Sequence, residues 1–304
     1  MISMLLPPWV VGLLTFALML GALLFWFTAM LPGILLRLLP VYAVQRLASR
    51  YCVWMARNWV ASNQLILRAL HDVANPDAYG EVDFHGRLEP GQSYLLLCNH
   101  QSWADILILF DVFHARTPFP RFFLKRDLLW LPIIGLVCWA MDFPFMTRKS
   151  GAADRAATRK ACAVYRHDPV TVVNFLEGTR FTETKRRARC SPHRHLLRPK
   201  SGGLAYTLDA MGEQFAGVLD VTVCYQPTER SLAWSWLCGE QAHVRLSIDL
   251  IPVPTELLHG DYDSEPAYRH QVQAWVNGLW LRKDARLETL HNRPPVQAQR
   301  PAHF

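Results

Sequence analysis

The first forty residues contain an apolar run without a single charge. Trp9 to Leu31 is an uncharged segment of 23 residues, and a helix of that length can cross a hydrocarbon core of about 30 Å. A signal peptide has a basic start and a shorter apolar run, and a buried core helix rarely carries so long an uncharged run. The pattern therefore predicts a transmembrane anchor within residues 1–40.

The next thirty residues combine basic and apolar positions at helical spacing. At about 100° per residue the arginines fall on one stripe and the apolar residues on the opposite face. The stripe contains Arg46, Arg50, Arg57 and Arg68, and the opposite face contains Ala48, Cys52, Met55, Trp59 and Ile66. Directly after an anchor, this pattern predicts a basic amphipathic interfacial helix over residues 41–72, with its arginines among lipid phosphates. The alternative is an ordinary amphipathic helix packed on a globular domain.

Residues 73–292 alternate between strand-like and helix-like segments, which is the pattern of one α/β domain. The tail, residues 293–304, is rich in proline and polar residues and is predicted to be disordered. The predicted strands are Glu81–His85, Ser93–Cys98, Val170–Leu176, Val218–Tyr225 and His243–Ile251, and the predicted helices begin at Ser102, Ala152 and Pro266.

Composition adds a preference for anionic partners and for a membrane. About half of the residues are hydrophobic and only 19% are charged, whereas the formal net charge is +7. A basic balance of this size favours phospholipid surfaces, nucleotides or acidic carrier proteins. No nucleic-acid-binding motif is recognisable, so we expect no nucleic-acid partner.

The seven cysteines are scattered and form no C-x-x-C pair, which indicates reduced thiols in a cytoplasm-like compartment. Cys190, His193 and His195 are close in sequence but lie among arginines without a distant ligand pair to complete a zinc site. We expect no metal.

His100 ends an apolar run and Asp105 follows it five residues later. Ser93–Cys98 is predicted to be a buried strand, and Ser102 opens a helix, where capping is its expected use. A carboxylate one turn into that helix can reach back to the imidazole and fix its tautomer, as a general base requires. The nucleophile would then be a hydroxyl of the substrate. The spacing alone is also compatible with a histidine that makes only structural hydrogen bonds.

A second polar turn follows the strand Val170–Leu176. Gly178 permits close backbone approach, Arg180 can grip a phosphate, and Glu177 is expected to pair with a cation or a substrate hydroxyl. If the two strands run parallel, both turns lie at one edge of the sheet.

Together these segments resemble the 1-acylglycerol-3-phosphate and lysophospholipid acyltransferase family. The resemblance covers about residues 80–225 and rests on four ordered blocks. They are Asn99-His100 with Asp105, Phe123 to Pro132 with Phe143 to Arg148, Phe175 to Arg180, and Val218 to Val223. The family implies an acyltransferase-type mixed sheet flanked by helices, after the anchor and the interfacial helix.

The resemblance also implies roles for individual residues. His100, held by Asp105, would deprotonate the free hydroxyl of a lysophospholipid as it attacks an acyl thioester, without a metal, a cofactor or a covalent acyl-enzyme. The block of Glu177, Gly178, Thr179 and Arg180, joined by Arg148, would bind the acceptor's phosphate. Oxyanion or donor contacts are expected from Lys125 and Lys200.

The expected partners are a lysophospholipid acceptor, acyl-CoA or acyl carrier protein as donor, and an anionic membrane surface. Arginines after the anchor predict the inner membrane, with the catalytic domain on the cytoplasmic face. The favoured acceptor is lysophosphatidic acid. Leu176 stands where the family usually has proline, and Asp220-Val221-Thr222 interrupts the fourth block. Both departures resemble a subgroup with bacterial and lysocardiolipin-type members, which leaves another lysophospholipid open as acceptor.

Two further alternatives remain: a non-catalytic membrane-surface lipid-binding protein, and a thioester or lipid hydrolase that uses water. A dense basic segment between Lys185 and Lys200 is either a solvated face or a surface that attracts anionic lipid, coenzyme A phosphates or an acidic carrier protein.

Overall fold

A computed structural model of the chain describes residues 6–71, 81–147, 151–226, 231–239 and 244–293. The predicted boundary after residue 72 and the predicted tail from residue 294 onward lie outside the described residues. The described part begins with two long helices, α1 (Pro8–Leu36) and α2 (Tyr42–Leu70). They form an antiparallel hairpin, in which the hydroxyl of Tyr51 donates to the carbonyl of Ala29 at 2.7 Å.

The centre of the domain is a six-stranded mixed sheet. Its strands are β1 (Glu81–His85), β2 (Ser93–Cys98), β3 (Pro120–Phe122), β6 (Thr171–Phe175), β7 (Phe215–Tyr225) and β8 (Val244–Ile251). They lie in the order β1-β8-β7-β2-β6-β3, and every neighbouring pair is parallel except β7 with β8. A separate two-stranded parallel sheet pairs β4 (Leu124–Lys125) with β5 (Phe145–Met146).

Helices cover both faces of this sheet. They are α3 (Ala104–Phe113), α4 (Ile134–Ala140), α5 (Gly151–Tyr165), α6 (Glu183–Ala188), α7 (Gly202–Met211), α8 (Leu232–Leu237) and α9 (Pro266–Asn292), with short 3-10 turns at Arg126–Trp130, Gly212–Gln214 and Thr255–Leu257. One hydrophobic core lies under α1, α2, α3 and α8, and the other under α5, α7 and α9. The mixed α/β class predicted from the sequence is confirmed.

Strand β2 is the strand that places the histidine. All six of its residues are buried, because parallel neighbours lie on both sides and helices on both faces. Its register sets Cys98 opposite Phe175 of β6 and Val221 of β7. The residues that follow β2 and β6 therefore lie at the same edge of the sheet, as parallel pairing requires.

Helix α1 contacts the rest of the protein at both of its ends. Near its start, Thr15 lies 2.9 Å from the ring of His71, and Gly12 packs against Trp234. At its end, the guanidinium of Arg37 pairs with the carboxylate of Asp142. Among the described helices it is the one long and apolar enough to cross a membrane, by length and composition.

Three of the four arginines in the stripe of α2 contact the domain. Arg46 and Arg50 both pair with Asp168, which precedes β6, and Arg57 donates to the carbonyl of Thr117. For Arg46 and Arg50 these contacts are those of the packed-helix alternative, whereas the interfacial position of the helix stays a prediction. The spacing in the sequence placed these arginines on one face of the helix, but it gave no information about Asp168, the carboxylate that pairs with Arg46 and Arg50.

Candidate active site

The turn that carries His100 is fixed to the sheet by Asn99. The side-chain amide of Asn99 donates to the carbonyl of Val223 at 2.8 Å, and its oxygen accepts the N–H of the same residue at 2.9 Å. This pair of bonds replaces a ladder pairing between the end of β2 and β7. Because Asn99 is fully buried, the peptide that leads into His100 has little freedom.

His100 and Asp105 are in direct contact. Nδ1 of the imidazole lies 2.8 Å from Oδ2 of the carboxylate. The same oxygen accepts the backbone N–H groups of Gln101 and Ser102, at 2.7 and 3.0 Å, and Oδ1 accepts the hydroxyl of Tyr225 at 2.5 Å. Asp105 is fully buried in the first turn of α3, where the helix dipole also favours a negative charge. The carboxylate is thus held from four directions and orients the ring.

The other nitrogen of the imidazole remains available. The ring stacks on Phe175 with centroids 4.1 Å apart, and 16% of its side chain is exposed. Among the described residues, no hydrogen bond reaches Nε2. An imidazole with one nitrogen on a buried carboxylate and the other open has the geometry of a general base.

The structure corrects the expectation for Glu177. Its side chain is fully buried, and among the described residues it pairs with no cation. One carboxylate oxygen accepts the backbone N–H of His100 and the other accepts that of Leu197, each at 2.8 Å. Burial raises the pKa of Glu177 to about 7, although the two N–H donors act in the opposite direction. The geometry therefore gives Glu177 the role of positioning the histidine turn.

The other predicted phosphate contacts lie on the open side of the same turn. Gly178 adopts a positive φ of 67°, which a side chain would strain, and its open side faces Lys200. Arg180 and Lys200 are exposed, and in the described part of the chain neither has a carboxylate partner. Thr179 accepts a hydrogen bond from Lys185 at 3.0 Å. Two free cations beside His100 suit an anionic ligand.

Two further contacts were predicted, Lys125 and Arg148. Lys125 lies in β4, exposed, and pairs with Asp127. This ion pair holds its ammonium group on the surface, so its role as an oxyanion donor stays a prediction without a supporting contact. Arg148 lies outside the described residues.

Two residues of the site were missed from the sequence. Tyr225 ends β7, 120 residues after Asp105, and Phe175 supplies the stacking surface for His100. An aromatic residue at the end of an apolar strand gives no signal of its own. Only the order of the strands, with β7 and β6 on either side of β2, brings Tyr225 to Asp105 and Phe175 to the imidazole.

The polar interruption of the fourth block also has a structural explanation. Asp220 is buried in β7 and pairs with the fully buried Lys283 of α9 at 2.6 Å. Lys283 also donates to the carbonyl of Val221 and lies 3.3 Å from the hydroxyl of Thr222. Asp220 and Thr222 thus serve an internal ion pair and do not reach the open side of the site.

Part of the basic segment is neutralised within the protein. Arg186 and Arg187 pair with Glu183, and these hydrogen bonds lower the pKa of Glu183 to about 2. Arg194 and His195 reach Glu288 of α9. Within the described residues, Arg180 and Lys200 are not among the cations neutralised in this way.

Fold and site together define an α/β protein with a buried aspartate behind an accessible histidine, at the edge where parallel strands end and beside free cations. The sequence profile of a family described as Acyltransferase matches residues 81–226. The 1-acyl-sn-glycerol-3-phosphate acyltransferase delta of Bos taurus is 28% identical over 193 residues, which are 58% of this chain and 48% of the relative. The alpha form of Homo sapiens is 34% identical over 136 residues, 44% of this chain and 46% of that protein.

The chain spans about half the length of these curated relatives. Among solved structures, the 1-acyl-sn-glycerophosphate (LPA) acyltransferase PlsC from Thermotoga maritima has the same fold. Its TM-score is 0.52 at 15% identity, with 94% of this chain and 96% of that chain covered. Residues 81–226 of the chain belong to the Acyltransferase family, and the curated relatives that they resemble are 1-acyl-sn-glycerol-3-phosphate acyltransferases.

Proposed function

We propose that the protein transfers a fatty acyl group from an acyl thioester to the free hydroxyl of lysophosphatidic acid and so makes phosphatidic acid. The observation that carries the proposal is the contact of 2.8 Å between Nδ1 of His100 and the buried Asp105, with Nε2 left open. The names of the matched relatives support lysophosphatidic acid as the acceptor.

The proposed reaction needs one base and no covalent enzyme intermediate. Nε2 of His100 takes the proton of the acceptor hydroxyl while the oxygen attacks the thioester carbonyl. The carbon–oxygen bond forms, the tetrahedral intermediate collapses, and the carbon–sulfur bond breaks. The imidazolium that results is stabilised by Asp105 and returns its proton to the thiolate, which leaves as the free thiol. The enzyme ends in its starting state.

Acceptor and donor are held by charge in this proposal. Arg180 and Lys200 bind the phosphate of the acceptor, and Gly178 lets that phosphate approach the backbone. The donor is acyl-CoA or an acyl carrier protein, both of them anionic.

We propose that the protein works at the cytoplasmic face of the inner membrane. A helix of 29 residues is about 43 Å long, and both ends of α1 contact the same α/β domain. These contacts favour a hairpin that lies along the membrane surface over one that crosses it. Large apolar side chains are exposed near the hairpin turn and in the neighbouring segment, and they would enter the acyl boundary: Leu35, Leu38, Tyr42, Trp130 and Ile134.

A substrate panel tests this proposal. The purified protein is offered lysophosphatidic acid, other lysophospholipids and no acceptor, each with acyl-CoA or acyl carrier protein thioesters, and the products are identified by mass. We expect phosphatidic acid as the main product. A lysophospholipid other than lysophosphatidic acid used at a higher kcat/KM would overturn the acceptor assignment, and free fatty acid alone would indicate a hydrolase. No turnover with any pair would favour a binding protein.

A further inference from the structure

A cavity rich in arginine lies at the amino ends of β3 and β6, whereas His100 lies at the carboxyl end of β2. It lies between α2, α5, the start of β3 and the turn before β6, is partly open to solvent, and has a volume of about 150 Å³. Four arginines and two aspartates contribute to its wall, which is lined by Arg46, Ser49, Arg50, Val53, Arg57, Phe119, Arg121, Asp142, Val164, Asp168 and Pro169. The space accommodates several water molecules or one tetrahedral oxyanion.

The positive charges of this arginine cavity are not fully compensated. Asp168 is shared by Arg46 and Arg50, and hydrogen bonds from Arg50 and Arg46 lower the pKa of its carboxyl group against the opposing effect of burial. Asp142 is engaged by Arg37 from outside the cavity. Within the described residues, Arg57 and Arg121 have no carboxylate partner.

Among the four arginines, Arg121 is the strongest evidence that the cavity binds an anion. It lies in β3, is only 8% exposed, and stacks its guanidinium 4.7 Å from the ring centroid of Tyr165. Its Nε is buried and makes no hydrogen bond within the part of the chain that the structure describes. Burying a cation without a partner anion costs free energy of folding. An unpaired, buried arginine at a cavity wall therefore indicates that the cavity binds an anion.

The cavity is distinct from the proposed acceptor site. Strand β6 begins after Asp168 and ends before Glu177, and its five residues separate the two edges of the sheet by about 17 Å. On α2, the exposed side chains of Leu47 and Trp54 lie on the turns that also carry Arg46, Arg50 and Arg57. A tryptophan beside arginines is typical of the depth at which lipid headgroups lie.

We propose that the arginine cavity binds a phosphate group, with Arg57 and Arg121 as its principal ligands and Arg46 and Arg50 at its mouth. This second phosphate site does not depend on the proposed acyltransferase activity. A phosphate of this kind is carried by an anionic phospholipid headgroup, and inorganic phosphate presents the same chemistry.

The test measures binding to the full chain in the Arg180→Gln background, which weakens phosphate binding at the acceptor site. One arm titrates inorganic phosphate, and the other titrates vesicles of phosphatidylcholine with or without phosphatidylglycerol. Arg57→Gln and Arg121→Gln are each expected to weaken binding about tenfold, because each removes a charge-assisted hydrogen bond. Asp168→Asn removes a competing carboxylate and is expected to tighten it. Arg159→Gln, whose guanidinium pairs with Asp209 elsewhere, is the matched control.

The predicted changes in affinity have opposite signs for the arginine variants and for Asp168→Asn, which distinguishes a loss of phosphate binding from a general loss of stability. Weaker binding by the two arginine variants and tighter binding by Asp168→Asn, in either arm, supports the site, and the arm in which this occurs identifies the source of the phosphate. Binding equal to that of Arg159→Gln in both arms overturns it, and so does a parallel loss in all three cavity variants. Should Arg121→Gln fail to fold, Arg57→Gln and Asp168→Asn decide the question by themselves.

Discussion

Replacing Glu177 by glutamine should change how the stability of the protein depends on pH. Burial raises the pKa of Glu177 from 4.5 to about 7 in the folded protein. Between these two values the folded state holds a proton that the unfolded state has released. The contribution of this group is therefore fully present below about pH 4.5 and is lost as the pH rises through about 7.

The size of the effect follows from the shift. A difference of roughly 2.5 pH units corresponds to about 3 kcal/mol. Glutamine cannot titrate, so the variant should lack this part of the pH dependence. The other groups titrate equally in the parent protein and in the variant. The difference in free energy of unfolding between the two proteins should therefore change by about 3 kcal/mol between about pH 4.5 and about pH 8, and the variant should gain relative to the parent as the pH rises.

Urea unfolding followed by tryptophan fluorescence, in one detergent across this pH range, measures that difference. Glu256→Gln is the matched control, because Glu256 is an exposed glutamate in a 3-10 turn, and its difference from the parent protein should change little. A Glu177→Gln difference that stays flat with pH would refute a glutamate that is buried, protonated near neutrality and bound to two backbone N–H groups.

Three further substitutions test the rest of the site. Tyr225→Phe removes one hydrogen bond from Asp105 and should lower kcat about tenfold with KM unchanged; an altered KM with normal kcat would contradict a role through Asp105. Arg180→Ala should raise the KM for the acceptor about tenfold and leave the KM for the donor unchanged, and a change confined to the donor would reject the phosphate assignment. Lys283→Met removes the closest cation of the buried Asp220, with Arg286 left at 4.0 Å, and should destabilise the fold by about 3 kcal/mol. Adding Asp220→Asn should restore most of that loss in thermal unfolding, and no recovery would contradict the ion pair.

Much of the fold was accessible from the sequence because local patterns and global packing agree. Strand β2 was predicted as Ser93–Cys98 and forms with those bounds, since six apolar or small residues in a row suit a strand buried on both faces. The contact between His100 and Asp105 was also accessible, because both residues belong to one turn and the helix that follows it. Parallel pairing then brought the turn after β6 to the same edge.

The features that were missed depend on long-range contacts. The sequence shows Glu177 in a polar turn and does not indicate that the carboxylate is buried and accepts the backbone N–H of Leu197. The hydroxyl of Tyr225 reaches Asp105 only because β7 lies beside β2. The arginine stripe of α2 was visible in the sequence, whereas Asp168, more than a hundred residues away, decides which surface it meets.

The central claim is that His100 is the base that removes the proton from the acceptor hydroxyl. Its most direct test is kcat/KM for acyl transfer by His100→Gln, measured beside the parent protein on the same vesicles, with circular dichroism and vesicle binding shown to be unchanged. Loss of a positioned general base predicts a fall of about 10²–10⁴-fold. A variant that folds, binds the vesicles and retains transfer within about threefold of the parent would contradict the claim, because so small a loss is far below what a base in this position supplies.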